Sequence, residues 1–482
     1  MSFTRHAKYK DSGVEWLGQI PIHWEVRRLK HACEVYPSNV DKHSRDDEPP
    51  VLLCNYTDVY YNEQITADMP FMAATASAEQ IARFTLKGGD TIITKDSETA
   101  DDIAIAAYVP EDLPGIVCGY HLSMVRPRAS TCGAFVKRLF DSFYAKARFA
   151  VSANGLTRVG LGQYVLDNVE LPFPPPEEQQ AIASFLDRET AKIDALVEEQ
   201  RRLIELLKEK RKAVISRAVT KGLNPNAPMK DSGVEWLGRV PTHWELCPLR
   251  RAFTAMDYGI SESLDGEGAV AVLRMGNIGG GKVSLQDLKY TDVVDPYLLL
   301  RAGDLLFNRT NSLDQIGKVG LFVSEGEGDI SFASYLVRLR TSPSCVPEFF
   351  GFLLNSPGML AEARANAIVA IGQCNLNPTR YGAFVVAIPS RYDQLRIAGY
   401  LKATCAKLDE LTREAEAART LLHERRAALI SAAVTGKIDV RDSADLLTAW
   451  AETKADIAAG RFVTETAKAH VARARAMAKR DD

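Results

Sequence analysis

Sixteen residues near the start of this chain are written out again near its middle. Lys10 to Glu25 reads KDSGVEWLGQIPIHWE and Lys230 to Glu245 reads KDSGVEWLGRVPTHWE, thirteen identities in sixteen at an offset of 220. A second echo sets Ile182 to Thr220 on Ile397 to Thr435 at an offset of 215, with Leu186/Leu401, Lys192/Lys407, Asp194/Asp409 and Arg211/Arg426 in common. The long stretches between the echoes resemble each other only faintly. Repetition on this scale implies two half-molecules, each a variable globular part followed by a shared helical part.

Length and composition set wide bounds. The 482 residues suffice for two or three domains with ample cores. No apolar run reaches the roughly 20 residues of a membrane span. Met1 to Lys10 lacks the apolar core of a signal peptide, so a cytoplasmic protein is expected. The eight cysteines (33, 54, 118, 132, 247, 345, 374, 405) never form a C-x-x-C pair. They read as buried or incidental thiols rather than disulfides or a zinc site. Net charge is −3. Residues 1–176 carry 18 basic and 22 acidic side chains, and residues 222–391 carry 15 and 17. A nucleic-acid role therefore cannot rest on bulk charge and needs local clustering.

The best-defined local structure follows Pro174-Pro175-Pro176, where Glu177-Glu178 favours a helix start by complementing its dipole. Steps of three and four from Ile193 give Leu196, Gln200, Leu203, Leu207, Lys210 and Val214, five of seven apolar. The aligned positions in the second copy are Leu408, Leu411, Ala415, Ala418, Leu422, Arg425 and Leu429, six of seven apolar. Both read as a heptad stripe, and the obvious partner for each is its own repeat. Such a helix spans roughly 60 Å. The basic end of the first (Lys208, Lys210, Arg211, Lys212, Arg217, Lys221) reads as a solvated face or as a surface for phosphates or a partner.

The variable parts read as mixed α/β, two divergent copies of one fold. GGDTIITKD (88–96) and AGDLLFNRT (302–310) are turns entering strands in corresponding slots, and YHLSMVRPR (120–128) matches SYLVRLRT (334–341). A Gly/Asn-rich approach precedes each helix: NGLTRVGLGQ in the first half, IGQCNLNPTR in the second. Residues 442–482 are an Ala-rich helical tail with no counterpart. The expected division is 1–176, a helical spacer 177–228, 229–390, a second spacer 391–441, and the tail.

Catalytic motifs are missing. GNIGGGKV (276–283) nearly makes a phosphate-binding loop, but Val283 stands where a hydroxyl should be, and a glycine turn between strands explains it better. There is no nucleophile elbow, no H-E-x-x-H and no methyltransferase tetrad. His23 and His243 both lie in P-x-H-W-E, which favours packing or capping over catalysis. Four of the five tryptophans (16, 24, 236, 244) fall in the repeated motif and mark it as a rigid packing element. The chain reads as a non-enzyme without cofactor or metal.

YKDSGVEWLGQIPIHWEVRRLK (9–30), its copy at 230–251, PPPEEQQAIASFLDRETAKID (174–194) and IGQCNLNPTR (371–380) together resemble the specificity subunit of Type I restriction-modification systems, over roughly residues 1–440. The tail departs from that pattern. The resemblance implies two α/β (α+β) target-recognition domains, each reading half of a split DNA site. It also implies two long helices paired as an antiparallel coiled coil, which relate the halves by a pseudo-two-fold and fix the gap. It implies no chemistry in the subunit itself: two modification subunits methylate adenine with S-adenosylmethionine, and two ATP-driven restriction subunits join the full complex. Arg, Asn and Lys are the best readers of base edges and phosphates. By matched position the DNA-contacting candidates are Lys95 with Asn308 and Arg309, Arg126 and Arg128 with Arg338 and Arg340, and Arg158 with Arg380. Internal salt bridges are the competing use of those cations. The rival readings are a single-chain methyltransferase or restriction enzyme, a coiled-coil scaffold with no DNA role, and a specificity subunit without a nuclease.

Overall fold

The repeated motif folds identically twice. Tyr9–Asp11 pairs antiparallel with Gln19–Pro21, and Met229–Asp231 pairs with Arg239–Pro241 in the same register, Lys10 opposite Ile20 and Lys230 opposite Val240. Gly13, Gly18, Gly233 and Gly238 all have φ between 57° and 73°, a left-handed turn that side chains with a Cβ resist. Asp11 and Asp231 accept from the Gly13 and Gly233 amides at 2.9 Å. The tryptophans divide unequally: Trp24 and Trp244 are buried, whereas Trp16 is exposed and Trp236 is half-buried. Only the tryptophan of H-W-E is a core residue, because only it follows the strand that carries the motif inward.

The computed structural model describes residues 4–323, 328–370 and 372–441; the expected tail helix lies outside them. Two units form, one of residues up to Glu199 with Ala418 onward, the other Gln200–Ala417, so the boundary falls inside both long helices. In the first unit an antiparallel sheet runs in the order Ala106–Tyr108, Thr91–Thr94, Leu122–Pro127, Cys33–Pro37. A second sheet holds Met72–Thr75, Pro50–Cys54, Leu113–Cys118 and Thr85–Leu86, with one parallel pair. In the second unit Phe253–Tyr258, Leu336–Thr341, Leu305–Asn308 and Val319–Leu321 repeat the first order, and Lys282–Val283 and Ile278–Gly279 extend it. Those last two strands form a hairpin around Gly280 (φ 60°) and Gly281 (φ 80°). GNIGGGKV is thus a glycine turn between strands, as its composition suggested.

The long helices are Pro176–Lys221 and Arg391–Val434. A matched glutamine locks the start of each to its own unit. The Gln179 amide oxygen accepts from the Cys132 amide at 2.8 Å, and that of Gln394 from the Val346 amide at 2.8 Å. Their amide nitrogens donate to the carbonyls of Pro174 (2.8 Å) and Pro389 (2.9 Å). Both glutamines are 1% exposed, so an unpaired amide here would be costly.

The helices pack together in both units. In the first, Ile182, Ala183, Phe185 and Leu186 share a core with Ile430, Ala433 and Val434. In the second, Ile215, Ala218 and Val219 share one with Ile397, Ala398, Leu401 and Cys405. The start of one helix meets the end of the other, an antiparallel pairing. The seam differs by one residue from the expected stripe. Ile193, Leu207 and Leu408 are buried and Val214, Leu422 and Leu429 half-buried, but Leu196, Leu203 and Leu411 are exposed. Val197, Ile204 and Thr412 stand in their places. The steps from Ile193 and Leu408 run four-then-three, so Arg211 and Arg426, not Lys210 and Arg425, reach the seam. Arg211 Nε pairs with Asp409 Oδ1 and Arg426 Nε with Asp194 Oδ1, each at 2.9 Å. The two pairs are the same repeat residues with the helices exchanged.

All eight cysteines are free and seven are buried. Among the described residues no helix is long and apolar enough to cross a membrane.

Candidate nucleic-acid interface

In both units a core strand ends on a cation held over a tyrosine. Thr91–Thr94 delivers Lys95, and Leu305–Asn308 delivers Arg309. Lys95 Nζ donates to the Ser38 carbonyl (3.0 Å) and lies 4.5 Å from the centre of the Tyr120 ring. The Arg309 guanidinium lies 5.0 Å from the centre of Tyr258 and donates to the Ser334 carbonyl and the Asn375 amide oxygen, both at 3.2 Å. Tyr120 and Tyr258 are about half exposed, 51% and 47%. Partial burial pushes the Lys95 ammonium pKa down, and Asp96 opposes that shift. A cation over an exposed ring offers a stacking face and a phosphate or base-edge donor together.

Beyond each cation a two-residue strand meets the Gly/Asn-rich approach. Asp96–Ser97 pairs with Val159–Gly160, and Thr310–Asn311 with Gln373–Asn375. The approaches thereby return from far along the chain to flank Lys95 and Arg309. Their neighbours are conspicuously exposed: Leu156 completely in the first unit, Ile368 (64%) and Val369 (71%) in the second. His121 Nδ1 lies 2.8 Å from Asp96 Oδ2, and Arg158 reaches Asp96 Oδ1 at 3.4 Å, half exposed. Arg380 Nε donates to the Asn366 amide oxygen at 3.0 Å. The sequence pairing of Arg158 with Arg380 is not kept. Arg158 precedes a strand, Arg380 lies in the helix Pro378–Gly382, and the counterpart of that helix is Gln163–Asn168.

The remaining matched cations are paired with carboxylates. Arg126 grips Asp90 through Nε and Nη2 at 2.8 and 2.7 Å, and Arg340 grips Asp304 at the same two distances. Those carboxylates are 1–2% exposed and bidentate pairing holds both guanidinium pKa values above their ordinary level. Arg338 has a fully buried side chain, bonded to Asp257 Oδ2 and to the Tyr297 and Leu299 carbonyls. Asn308 is also buried, its amide atoms without partners among the described residues. Arg128 pairs with Glu34 at 3.1 Å, both roughly half exposed. Internal ion pairing, the competing use, accounts for Arg126, Arg338 and Arg340 in the free chain.

Sequence reasoning passed over the tyrosines. Tyr120 and Tyr335, each about half exposed, stand just before matched strands, one residue out of register with each other. That coincidence was the available signal.

Fold and faces together define a class: a protein of two dissimilar α/β units that share a duplicated long helix. Residues 21–206 match the family model described as "Type I restriction modification DNA specificity domain". The specificity subunit of the Type I restriction enzyme EcoKI from Escherichia coli K12 is 22% identical over 82% of this chain and 83% of its own length. The putative MjaX specificity subunit of Methanocaldococcus jannaschii is 22% identical over 92% and 99%. Among solved structures, a chain from a study of assembly and conformational transition of the type I R-M system aligns with TM-score 0.64 at 16% identity, covering 86% of this chain and 98% of its own. The HsdS subunit of Thermoanaerobacter tengcongensis aligns with TM-score 0.53 at 16% identity, over 87% and 98%. Residues 21–206 thus carry the match to the specificity domain of Type I restriction-modification systems, and over most of its length the chain is similar to the specificity subunits of those systems.

Proposed function

We propose that each variable region, residues 1–176 and 229–390, reads one half of a split DNA site, with the paired helices setting the gap between half-sites. The observation that carries this reading is the matched cation on an exposed tyrosine, Lys95 with Tyr120 and Arg309 with Tyr258, set in regions that otherwise diverge. A constant frame beneath divergent reading surfaces is what a specificity subunit requires. Lys95 and Arg158 in the first half, and Arg309 and Arg380 in the second, form the DNA-facing set, with Arg128 as a phosphate contact. Arg126, Arg338, Arg340 and Asn308 shape that surface from behind. Two modification subunits supply adenine methylation from S-adenosylmethionine, and two ATP-driven restriction subunits join the full complex. Working on cellular DNA places the assembly in the cytoplasm.

The test is single-molecule mapping of N6-methyladenine in cells carrying this chain with its modification subunit, against a deletion. A split motif methylated on both strands and lost on deletion is expected. Arg309→Ala should relax or weaken recognition in one half only, by about 1–3 kcal/mol at a base-reading position. A stable complex that writes no motif would overturn the reading in favour of a scaffold.

A further inference from the structure

The first unit contains a partly buried cluster of metal-ligating side chains that the proposed DNA-reading role does not use. His6, near the start of the chain, is 6% exposed, and among the described residues neither ring nitrogen has a hydrogen-bond partner. Its Nε2 faces Glu178 Oε1 at 3.7 Å and its Nδ1 faces Asp439 Oδ2 at 3.4 Å. His23 Nε2 lies 2.8 Å from Glu178 Oε2. One ligand atom each from His6, His23 and Glu178 lies within 4.8 Å of the other two.

The spacing suits a cation. Zinc takes nitrogen and carboxylate ligands at about 2.0–2.2 Å, so the edges of its coordination tetrahedron are about 3.4 Å. The contact from His6 to Glu178 is close to such an edge and too long for a hydrogen bond. The contact from His23 to Glu178 is a hydrogen bond that an ion would replace. Surrounding groups complete the arrangement. Trp24 Nε1 donates to Glu178 Oε1 at 3.1 Å and fixes that carboxylate. Asp439 faces the far nitrogen of His6, where a carboxylate orients a ligating imidazole and raises its basicity. Arg441 binds the outer side of Asp439, with Nε 2.9 Å from Oδ1 and Nη2 2.5 Å from Oδ2, and offsets that charge. His23 is 35% exposed, which leaves an entry path and room for water as a fourth ligand.

We propose that His6, His23 and Glu178 bind one divalent transition-metal ion of the zinc class, with Asp439 orienting His6. The ion joins the start of the chain, the repeated motif, the first turn of the first long helix and the segment after the second. Among the described residues the second unit has no equivalent. His243 faces Asp393 at 3.6 Å, but the position matching His6 at the repeat offset is Asn226.

Untagged full-length chain, alone or with its modification subunits, is stripped with chelator, desalted and titrated with ZnCl2, and separately with CoCl2. One equivalent of zinc and the visible absorption of tetrahedral cobalt are expected. His6→Asn and His23→Asn should each abolish the cobalt signal, Asp439→Asn should weaken affinity about 10–100-fold, and His243→Asn should change neither. Circular dichroism checks the fold. Where a histidine variant does not fold, Glu178→Gln reports instead, because its amide oxygen still accepts from Trp24. Absence of stoichiometric binding, or binding unchanged in His6→Asn and Glu178→Gln, would overturn the proposal.

Discussion

Asp304 is nearly inaccessible, and both its oxygens hold Arg340. It also accepts from the Arg301 amide at 2.9 Å, closing the turn that enters its strand. Removing that carboxylate strands a guanidinium that is 23% exposed. Breaking a buried pair costs about 3–5 kcal/mol and an exposed pair under about 1 kcal/mol. Asp304→Ala should therefore destabilise the second unit by an amount near the bottom of the first range, read as a lowered urea midpoint. Glu245→Ala, which frees the exposed Arg251, should barely move it. A second residue-scale prediction concerns acid. Burial works against the charge on Glu63, but Lys137, Arg426 and Arg138 outweigh it and hold the pKa at about 2. The folded value lies below the ordinary carboxylate value, so the stabilisation is complete above about pH 4.5 and is lost as pH falls towards 2. Glu63 is half exposed, so water and salt screen the effect. Thermal unfolding of wild type and Glu63→Gln should differ at pH 7, converge near pH 2, and differ less in high salt.

Among the elements, the long helices offer the sharpest contrast. Leu203 and Ile204 are adjacent, both apolar, and consistent with a stripe, yet one is 42% exposed and the other 4%. Ile204→Ala should cost about 2–4 kcal/mol and Leu203→Ala within about 0.5 kcal/mol, measured by denaturant unfolding. Equal losses would restore the stripe that sequence alone suggests. The periodicity gave the helices, their partners and half the seam positions. It did not fix the phase, because three-then-four and four-then-three steps from Ile193 both meet mostly apolar residues. The ion pairs Arg211–Asp409 and Arg426–Asp194 decide between them by requiring Arg211 and Arg426 at the interface.

For the molecule as a whole, the end of the second helix returns to the beginning of the chain. Tyr9 donates to the Gly436 carbonyl at 3.0 Å, the Asp439 amide donates to the Thr4 carbonyl at 2.9 Å, and Val440 is buried in the first unit's core. Gly436 (φ 71°) approaches Trp24, and Gly222 (φ 72°) approaches Trp244 in the same way. Each repeated motif is thus closed by the end of a long helix, for the first motif by a segment from the far end of the sequence. A chain ending at Thr435 should unfold its first unit at lower temperature than one ending at Arg441. Burying Val440 alone contributes about 1.5–3 kcal/mol. Identical melting would show that this closure stabilises nothing.

The sequence by itself determined the duplication, the mixed α/β halves, the two helices and the family resemblance, because repeats and heptads are local patterns that survive without coordinates. It also named Lys95 and Arg309 by their matched slots. Tertiary structure decided which cations are tied up by carboxylates. Arg126, Arg340 and Arg338 look like Lys95 and Arg309 in a linear reading, but acids remote in sequence, Asp90, Asp304 and Asp257, claim them. It likewise brought His6 to Glu178 and Asp439 across most of the chain. The reason is physical: a charge buried without its partner is too costly, and the partner's identity is set by which strands and helices become neighbours, not by spacing along the chain.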